Sequence, residues 1–287
     1  MARLLIAGCG YVGSELARRA VDAGHEVFGL RRSEAPLPDG VHRIRADLAD
    51  PASVPSLPVV DWLVVALGAD ARSTEAYEAA YLHAPAVLRA ALPRPPAREL
   101  VLSSTGVFGR DDGSDVFAHT RPEPTTGTGA VLLRAEDEAI ARGAVVLRLA
   151  GIYGPGRVRL LRRVADGSAW SGPSLDRWAN LVHRDDAAAL SLHLVGHPAP
   201  PAVVHGVDDE PIVRRALLAE LQRLIAGRPL ERASAPDATL GKRVRNDALY
   251  ATDYALIQPS WRAGYASVLA VDPALAAELA RSFARTR

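Results

Sequence analysis

Three glycines, spaced as Gly8-Cys9-Gly10-Tyr11-Val12-Gly13, are the residues of this chain best suited to hold a ligand. A GxGxxG run carries meaning only between a strand and a helix, and that is its setting here. Gly8 allows the tight turn and Gly10 lets a pyrophosphate approach the backbone. Gly13 lets the helix pack close to the strand, while the helix N-terminus offers N–H groups and positive dipole to phosphates. Tyr11 and Val12, between them, belong to the same dinucleotide-binding turn. About 20 residues on, an NAD site places Asp or Glu for the ribose 2′-OH. This chain has Arg31-Arg32-Ser33 there. A carboxylate would repel a 2′-phosphate, whereas guanidinium groups pair with one, so the expected cofactor is NADP (NADPH). Two arginines that merely face solvent are the alternative.

Those glycines need a strand before them and a helix after. Arg3–Ala7 is a short apolar strand, an amphipathic run extends to Ala23 until Gly24 stops it, and Glu26–Leu30 is a second strand. The alternation continues with strands at Val41–Ala46, Trp62–Leu67, Glu99–Leu102 and Ala144–Leu149. Helices are expected over Glu75–Leu92, kinked or interrupted at Pro85, and over Ala130–Ala141, with a loop at Gly109–Thr128 before the second. This order predicts an α/β fold, a Rossmann-type doubly wound parallel sheet. Leu67 and Gly68, closing the fourth strand, count among the cofactor-binding residues.

Beyond Ala150 the pattern loosens. It reads as a turn at Gly151–Gly156, a helix at Arg157–Ala165, a loop at Gly167–Asp176, and a short strand at Trp178–Val182. A helix at Arg184–Leu194, a strand at Ala202–Val207 and a helix at Ile212–Ile225 follow. Residues 1–150, completed by 179–207, are expected to form the dinucleotide-binding domain. Residues 151–178 and 208–287 form a smaller, mostly helical C-terminal substrate lobe folded against it.

Composition narrows the partners. A net charge of +1 over 287 residues gives no electrostatic case for nucleic acid or an anionic membrane. No apolar run reaches the ~20 residues that span a bilayer. The first strand begins at the N-terminus, which leaves no expected signal peptide. A single cysteine, Cys9, excludes an internal disulfide and suits a cytoplasmic protein. That thiol lies near a helix N-terminus, where its pKa could fall, or it simply fills the loop. Arginine supplies nearly all the positive charge, and Lys242 is the only lysine. No residues show metal-ligand spacing, and no Gly-x-Ser-x-Gly elbow occurs.

Several stretches together resemble the extended short-chain dehydrogenase/reductases of the NAD-dependent epimerase/dehydratase type. Leu102-Ser103-Ser104-Thr105-Gly106-Val107-Phe108-Gly109 is similar to that family's SSxxVYG. Arg148 through Gly156, RLAGIYGPG, is similar to its RxxxxYGPG, and Asn180 through Asp186, NLVHRDD, to its substrate-lobe strand and following V-x-D-D. Asp47-Leu48 matches its adenine-holding pair. The resemblance implies NADP-dependent chemistry on a small-molecule substrate, and a homodimer formed through the helices at 75–92 and 130–141. It also exposes a departure. The family's YxxxK motif, followed four residues later by Glu, falls on Thr128 and Leu132 when anchored on Glu136. No small shift of register restores the pair. In the family the lysine tunes the tyrosine for proton exchange, a task for which a threonine alcohol is far too weak an acid.

What remains is a short roster of catalytic candidates. Ser104, at the carboxyl end of the fifth strand, is the group that in the family holds the reacting oxygen; capping its own turn is the alternative. Thr105 shares that edge, and Thr128 and Asn180 fall on positions facing substrate in the family. Tyr81 lands on the family's helix asparagine, although i, i+4 packing with Tyr77 is the favoured explanation. His183 titrates near neutrality, or is satisfied beside Asp185 or Asp186. Arg159, Arg162 and Arg163 share one helix face that either meets a substrate diphosphate or faces water. The leading expectation is an NADP-dependent oxidoreductase. A non-redox dehydratase, cyclase or isomerase, and a non-catalytic NADP-sensing regulator, are the alternatives.

Overall fold

Leu4, Leu5, Ile6 and Ala7 are fully excluded from solvent along one strand, β1 (Arg3–Ala7). A strand buried on both faces belongs inside a parallel sheet covered by helices. The computed structural model, which describes residues 1–170, 175–228 and 240–285, places it there. With β2 (Glu26–Arg31), β3 (Val41–Arg45), β4 (Trp62–Val65), β5 (Arg98–Ser104), β6 (Val145–Leu149) and β7 (Val203–Gly206), it forms a seven-stranded sheet. The order is β7-β6-β5-β4-β1-β2-β3 and every pairing is parallel.

Helices cover both faces, and the period-2 alternation of strand side chains feeds each. They are α1 (Tyr11–Asp22), α2 (Thr74–Glu78), α3 (Ala84–Ala91), α4 (Gly127–Ala141) and α6 (Arg184–Gly196), whereas α5 (Arg159–Ala165) belongs to the C-terminal lobe. Leu4 and Ile6 join Leu16 of α1 and Leu190 and Leu194 of α6 in one core. Leu5 and Ala7 join Leu88 of α3 and Ala139 of α4 in the other. A third core belongs to the C-terminal lobe, built by α5, α7 (Arg214–Ile225), α9 (Trp261–Val271) and α10 (Pro273–Arg285). Trp261, Leu161, Leu218 and Leu221 lie at its centre, and a short α8 (Asp247–Tyr250) precedes α9.

The helix over 75–92 is interrupted at Pro85, through a π turn at Ala79–His83 after which α3 restarts with Pro85 in its first turn. Proline has no N–H to complete the ladder, so the backbone bonds shift there. Three other local expectations change. Helix α4 starts at Gly127 rather than Ala130, because Thr126 accepts the Gly129 N–H at 3.1 Å and caps it. Gly151–Tyr153 is a strand paired with Leu181–His183, not a turn. Ile212 and Val213 pair with Ala179 and Trp178 before α7 begins. Of the loop expected at 167–176, residues 171–174 lie outside the described residues, as do 229–239 and 286–287 of the lobe. Among the described residues no helix is long and apolar enough to cross a membrane, and no metal-binding cluster occurs.

Candidate functional site

The glycine turn sits at the carboxyl edge of the sheet, between β1 and α1. Gly8 has φ +98°, and a Cβ there would lie 2.4 Å from the Ala66 carbonyl oxygen. A Cβ on Gly13 would lie 2.3 Å from the Gly8 carbonyl oxygen. Both contacts are with backbone and admit no side chain. Gly10 differs, because a Cβ there would meet only the Gly8 oxygen, 3.9 Å away. It therefore fronts open space. Gly10 is also the cap of α1 and brings no side-chain acceptor, and the first turn contains no acidic residue. The N–H groups of Tyr11, Val12 and Gly13 have no acceptor among the described residues. Free N–H groups, helix dipole and open space together fit a dinucleotide pyrophosphate. Cys9 is buried and its thiol is pushed up to about 12, chiefly by burial, so it fills the turn as an inert side chain.

Tyr11 ties this turn to the loop after Tyr153. Its hydroxyl donates to the Pro155 carbonyl at 2.9 Å, and the guanidinium of Arg157 lies 4.5 Å from its ring centre. Arg184 approaches the same ring at 5.5 Å. Val12 is buried in the core, so it can offer a ligand only its backbone.

At the end of β2, Arg31 Nε donates to Ser33 Oγ at 3.1 Å. Arg32 is exposed and forms a salt bridge to Asp70 at 3.1 Å, joining the end of β2 to the segment after Leu67 and Gly68. Gly68 has nothing within 4 Å of a Cβ position, while Leu67 packs partly against the second core. Asp47 accepts the Ala49 N–H at 3.0 Å and shapes its own turn; Leu48 is buried.

Further along the same edge, Ser104 Oγ accepts the Gly106 N–H at 3.1 Å, capping the short turn Thr105–Val107. Its own proton remains available. Thr105 is buried in that turn. Ser103 points the other way and donates to Glu136 at 2.5 Å, where Arg148 also forks onto the carboxylate at 2.7 and 3.0 Å. This buried group locks β5, α4 and β6 together. Thr128 lies in the first turn of α4, 3.3 Å from Thr126, and Leu132 is buried in the core with 4% exposure. The lysine position of the family is apolar in its surroundings as well as in identity.

The proton-donor candidates separate in space. Tyr81 lies in the π turn, its ring 5.3 Å from that of Tyr77, packed on Leu82, Val131 and Ala135. Burial raises its pKa. His183 is buried, and its Nδ1 accepts the Asp185 N–H at 3.3 Å, so Nε2 carries the proton. Among the described residues that buried Nε2 has no partner; a Cβ on Gly154 would lie 3.2 Å from it and 3.0 Å from the Tyr11 hydroxyl. Burial lowers the His183 pKa and keeps the ring neutral. Asn180 has both halves of its amide occupied, donating to the Lys242 carbonyl at 3.0 Å and accepting the Val244 N–H at 2.8 Å. These two bonds clasp the backbone on either side of Arg243 and use one of the two hydrogens on Nδ2. Arg162 meets Glu278 at 3.0 Å and Arg163 the Ser168 carbonyl at 2.7 Å, so two of the three helix arginines are engaged within the lobe.

Two residues at this edge differ from what sequence alone suggests. Arg157, expected to start a helix, precedes α5 and lies over the Tyr11 ring, and its place directly after YGPG is the local signal for that. Nothing local to Lys242 shows that its Nζ donates to the Phe108 carbonyl at 2.7 Å, 134 residues away.

The sequence model of the NAD dependent epimerase/dehydratase family matches residues 4–205. A protein of Methylobacillus flagellatus, provisionally described as an NAD-dependent epimerase/dehydratase, is 33% identical with a TM-score of 0.81, covering 94% of this chain and 98% of its own. A functionally unknown conserved protein of Silicibacter pomeroyi is 27% identical with a TM-score of 0.68, covering 94% and 99%. The human epimerase family protein solved with NADPH shares the fold at 18% identity, with a TM-score of 0.71 over 93% and 98% of the two chains. Among curated proteins none matches. With its glycine turn, its seven-stranded parallel sheet and a family match across both, this chain belongs to the NAD dependent epimerase/dehydratase family.

Proposed function

We propose that this chain is an NADP-dependent oxidoreductase of small-molecule metabolism, moving hydride to or from a carbonyl-type carbon. The observation that carries this reading is the open cradle before Gly10, flanked at the end of β2 by Arg31 and Arg32 where a carboxylate would mark NAD. The human protein of the same fold is solved with NADPH, so the fold accepts that cofactor. Gly10, the N-terminus of α1 and Tyr11 would hold the pyrophosphate, and Arg31, Arg32 and Ser33 the 2′-phosphate. The nicotinamide, when bound, supplies the hydride.

The protein's own part is to hold the reacting oxygen and move a proton. Ser104 hydrogen-bonds that oxygen through its hydroxyl while accepting the Gly106 N–H, and the proton that accompanies the hydride comes from ordered water held there. Of the two other candidates, His183 is neutral and offers an Nε2–H only as a hydrogen-bond donor, whereas the Tyr81 ring is packed among apolar side chains. Leu132, apolar and buried, favours a second reading in which the pocket performs a non-redox step or only senses the dinucleotide. Loss of NADPH absorbance over a panel of aldehydes and ketones separates them. Turnover is expected, with Ser104→Ala slower by about 10-fold or more and Thr128→Val within about 2-fold of wild type. NADPH that binds yet is never consumed would favour the second reading.

A further inference from the structure

The amino edge of the sheet, opposite the glycine turn, carries an open cleft of about 770 Å³. It lies between the last turns of α1 and α6, with Trp62 at the start of β4 and His25 just before β2. A cleft of this size holds a small molecule. Its lining is aromatic in a chain that has few aromatic rings. One of the four tryptophans, Trp62, and three of the eight histidines, His25, His193 and His197, converge on it. The His25 ring is 4.9 Å from that of Trp62, and the His193 ring 5.4 Å from that of His197. Gly196 brings the α6 backbone onto the indole, where a Cβ would lie 3.2 Å from Cη2.

Backbone bonds fix what each imidazole can offer. His25 Nδ1 accepts the Ala2 N–H at 3.2 Å and His197 Nδ1 accepts the Ala199 N–H at 3.2 Å, so in both neutral rings Nε2 carries the proton. His193 is the reverse. Its Nε2 donates to the Thr252 carbonyl at 2.7 Å, which leaves Nδ1 as an acceptor. Among the described residues none of these second nitrogens has a partner. The cleft thus has two N–H donors and one acceptor beside its rings. Its rim carries no spare charge, because Arg18 is paired with Glu15 at 2.6 Å and Asp22 at 2.7 Å, and Arg19 with Glu15 at 2.7 Å. An anion would have to compete with these carboxylates. An uncharged planar molecule with acceptors and a donor on its edge meets the rings by stacking and the nitrogens by hydrogen bonds.

We propose that this cleft is a second ligand site, taking an uncharged planar heteroaromatic molecule of nucleobase type, stacked beside Trp62 and bonded by His25, His193 and His197. It lies at the end of the sheet away from the dinucleotide cradle and is independent of the reaction proposed there.

Adenine is the probe, and indole, a bicycle of similar shape with a donor but no ring acceptor, is its counterpart. Each is titrated calorimetrically into the wild-type protein at about pH 8, where an ordinary imidazole is neutral, with NADPH present to fill the dinucleotide site. Adenine is expected to bind at least about 10-fold more tightly than indole, a difference of about 1.4 kcal/mol. Ala189 lies partly exposed in the cleft wall, so the ring of Ala189→Phe should fill the space and weaken adenine by at least about 10-fold. His197→Leu removes one donor and should weaken it by about 3- to 10-fold. Both variants should keep the wild-type Tm and NADPH affinity, and if Ala189→Phe melts early, His197→Leu decides alone. Adenine that does not bind, that binds no better than indole, or that binds the folded variants as tightly as wild type overturns the proposal.

Discussion

Replacing Gly10 and Gly13 one at a time should separate ligand binding from folding. In Gly13→Ala the new Cβ lies 2.3 Å from the Gly8 carbonyl oxygen, more than 1 Å inside an ordinary contact of about 3.4 Å or longer. Its second neighbour is the Gly8 carbonyl carbon at 3.1 Å, so backbone rather than a flexible side chain must move. Overpacking of this kind costs about 1–3 kcal/mol. At about 2–4 °C per kcal/mol for a chain of this size, Tm should fall by roughly 2–12 °C. In Gly10→Val the nearest atom to the Cβ is 3.9 Å away, so the fold has room for it and Tm should move by only about 2 °C. The valine methyl groups instead fill the space before the N–H groups of α1. Loss of a pyrophosphate seat should weaken NADPH by at least about 100-fold, equivalent to roughly 2.7 kcal/mol. Thermal unfolding and calorimetric titration of both variants provide the comparison. A Gly10→Val protein that binds NADPH normally, or that loses as much stability as Gly13→Ala, would refute the placement of the cradle.

Two further outcomes follow from charge. Asp208 is buried with one carboxylate oxygen unpartnered, and burial raises its pKa well above the usual carboxylate range. The native state therefore binds this proton more tightly than the unfolded chain, and stability falls as pH rises above the unfolded carboxylate value, by at most about 1.4 kcal/mol per pH unit. Asp208→Asn should remove that slope, so its advantage over wild type in urea unfolding should grow from about pH 4 toward neutrality; a pH-independent difference would contradict it. The Arg32–Asp70 salt bridge is exposed on both sides and is worth only about 0–1 kcal/mol. Asp70→Asn should free Arg32 and tighten NADPH by up to about 5-fold while leaving NADH unchanged, and a parallel change in both affinities would show that the pair has no bearing on the 2′-phosphate.

Local sequence made part of this molecule legible. Strands β1, β4 and β6 could be read because burial on both faces leaves nearly continuous apolar runs, broken in β6 only by Arg148. The glycine turn could be read because each backbone approach excludes a side chain. The break in the helix over 75–92 could be read from Pro85, but its form as a π turn around Tyr81 could not, since no periodic pattern marks it. The role of Asn180 and the position of Lys242 were hidden for another reason. Both depend on Arg243 and Val244 pairing with Asp115 and Val116, a contact between two-residue strands about 128 positions apart. Strands that short carry no period, and their partner is chosen by tertiary packing. Helices α9 and α10 are not evident from sequence because their faces are buried against distant parts of the chain, α10 against α5 and α7 and α9 against Tyr153 and the Leu181–His183 strand.

The central claim is that a 2′-phosphorylated dinucleotide lies on the Gly10 turn with its phosphate beside Arg31 and Arg32. Calorimetric titration of the wild-type protein with NADPH and NADH tests it most directly. NADPH should bind more tightly by at least about 10-fold, or 1.4 kcal/mol, and Arg31→Asp should narrow or reverse the preference. Equal affinities for the two dinucleotides in the wild-type protein would contradict it.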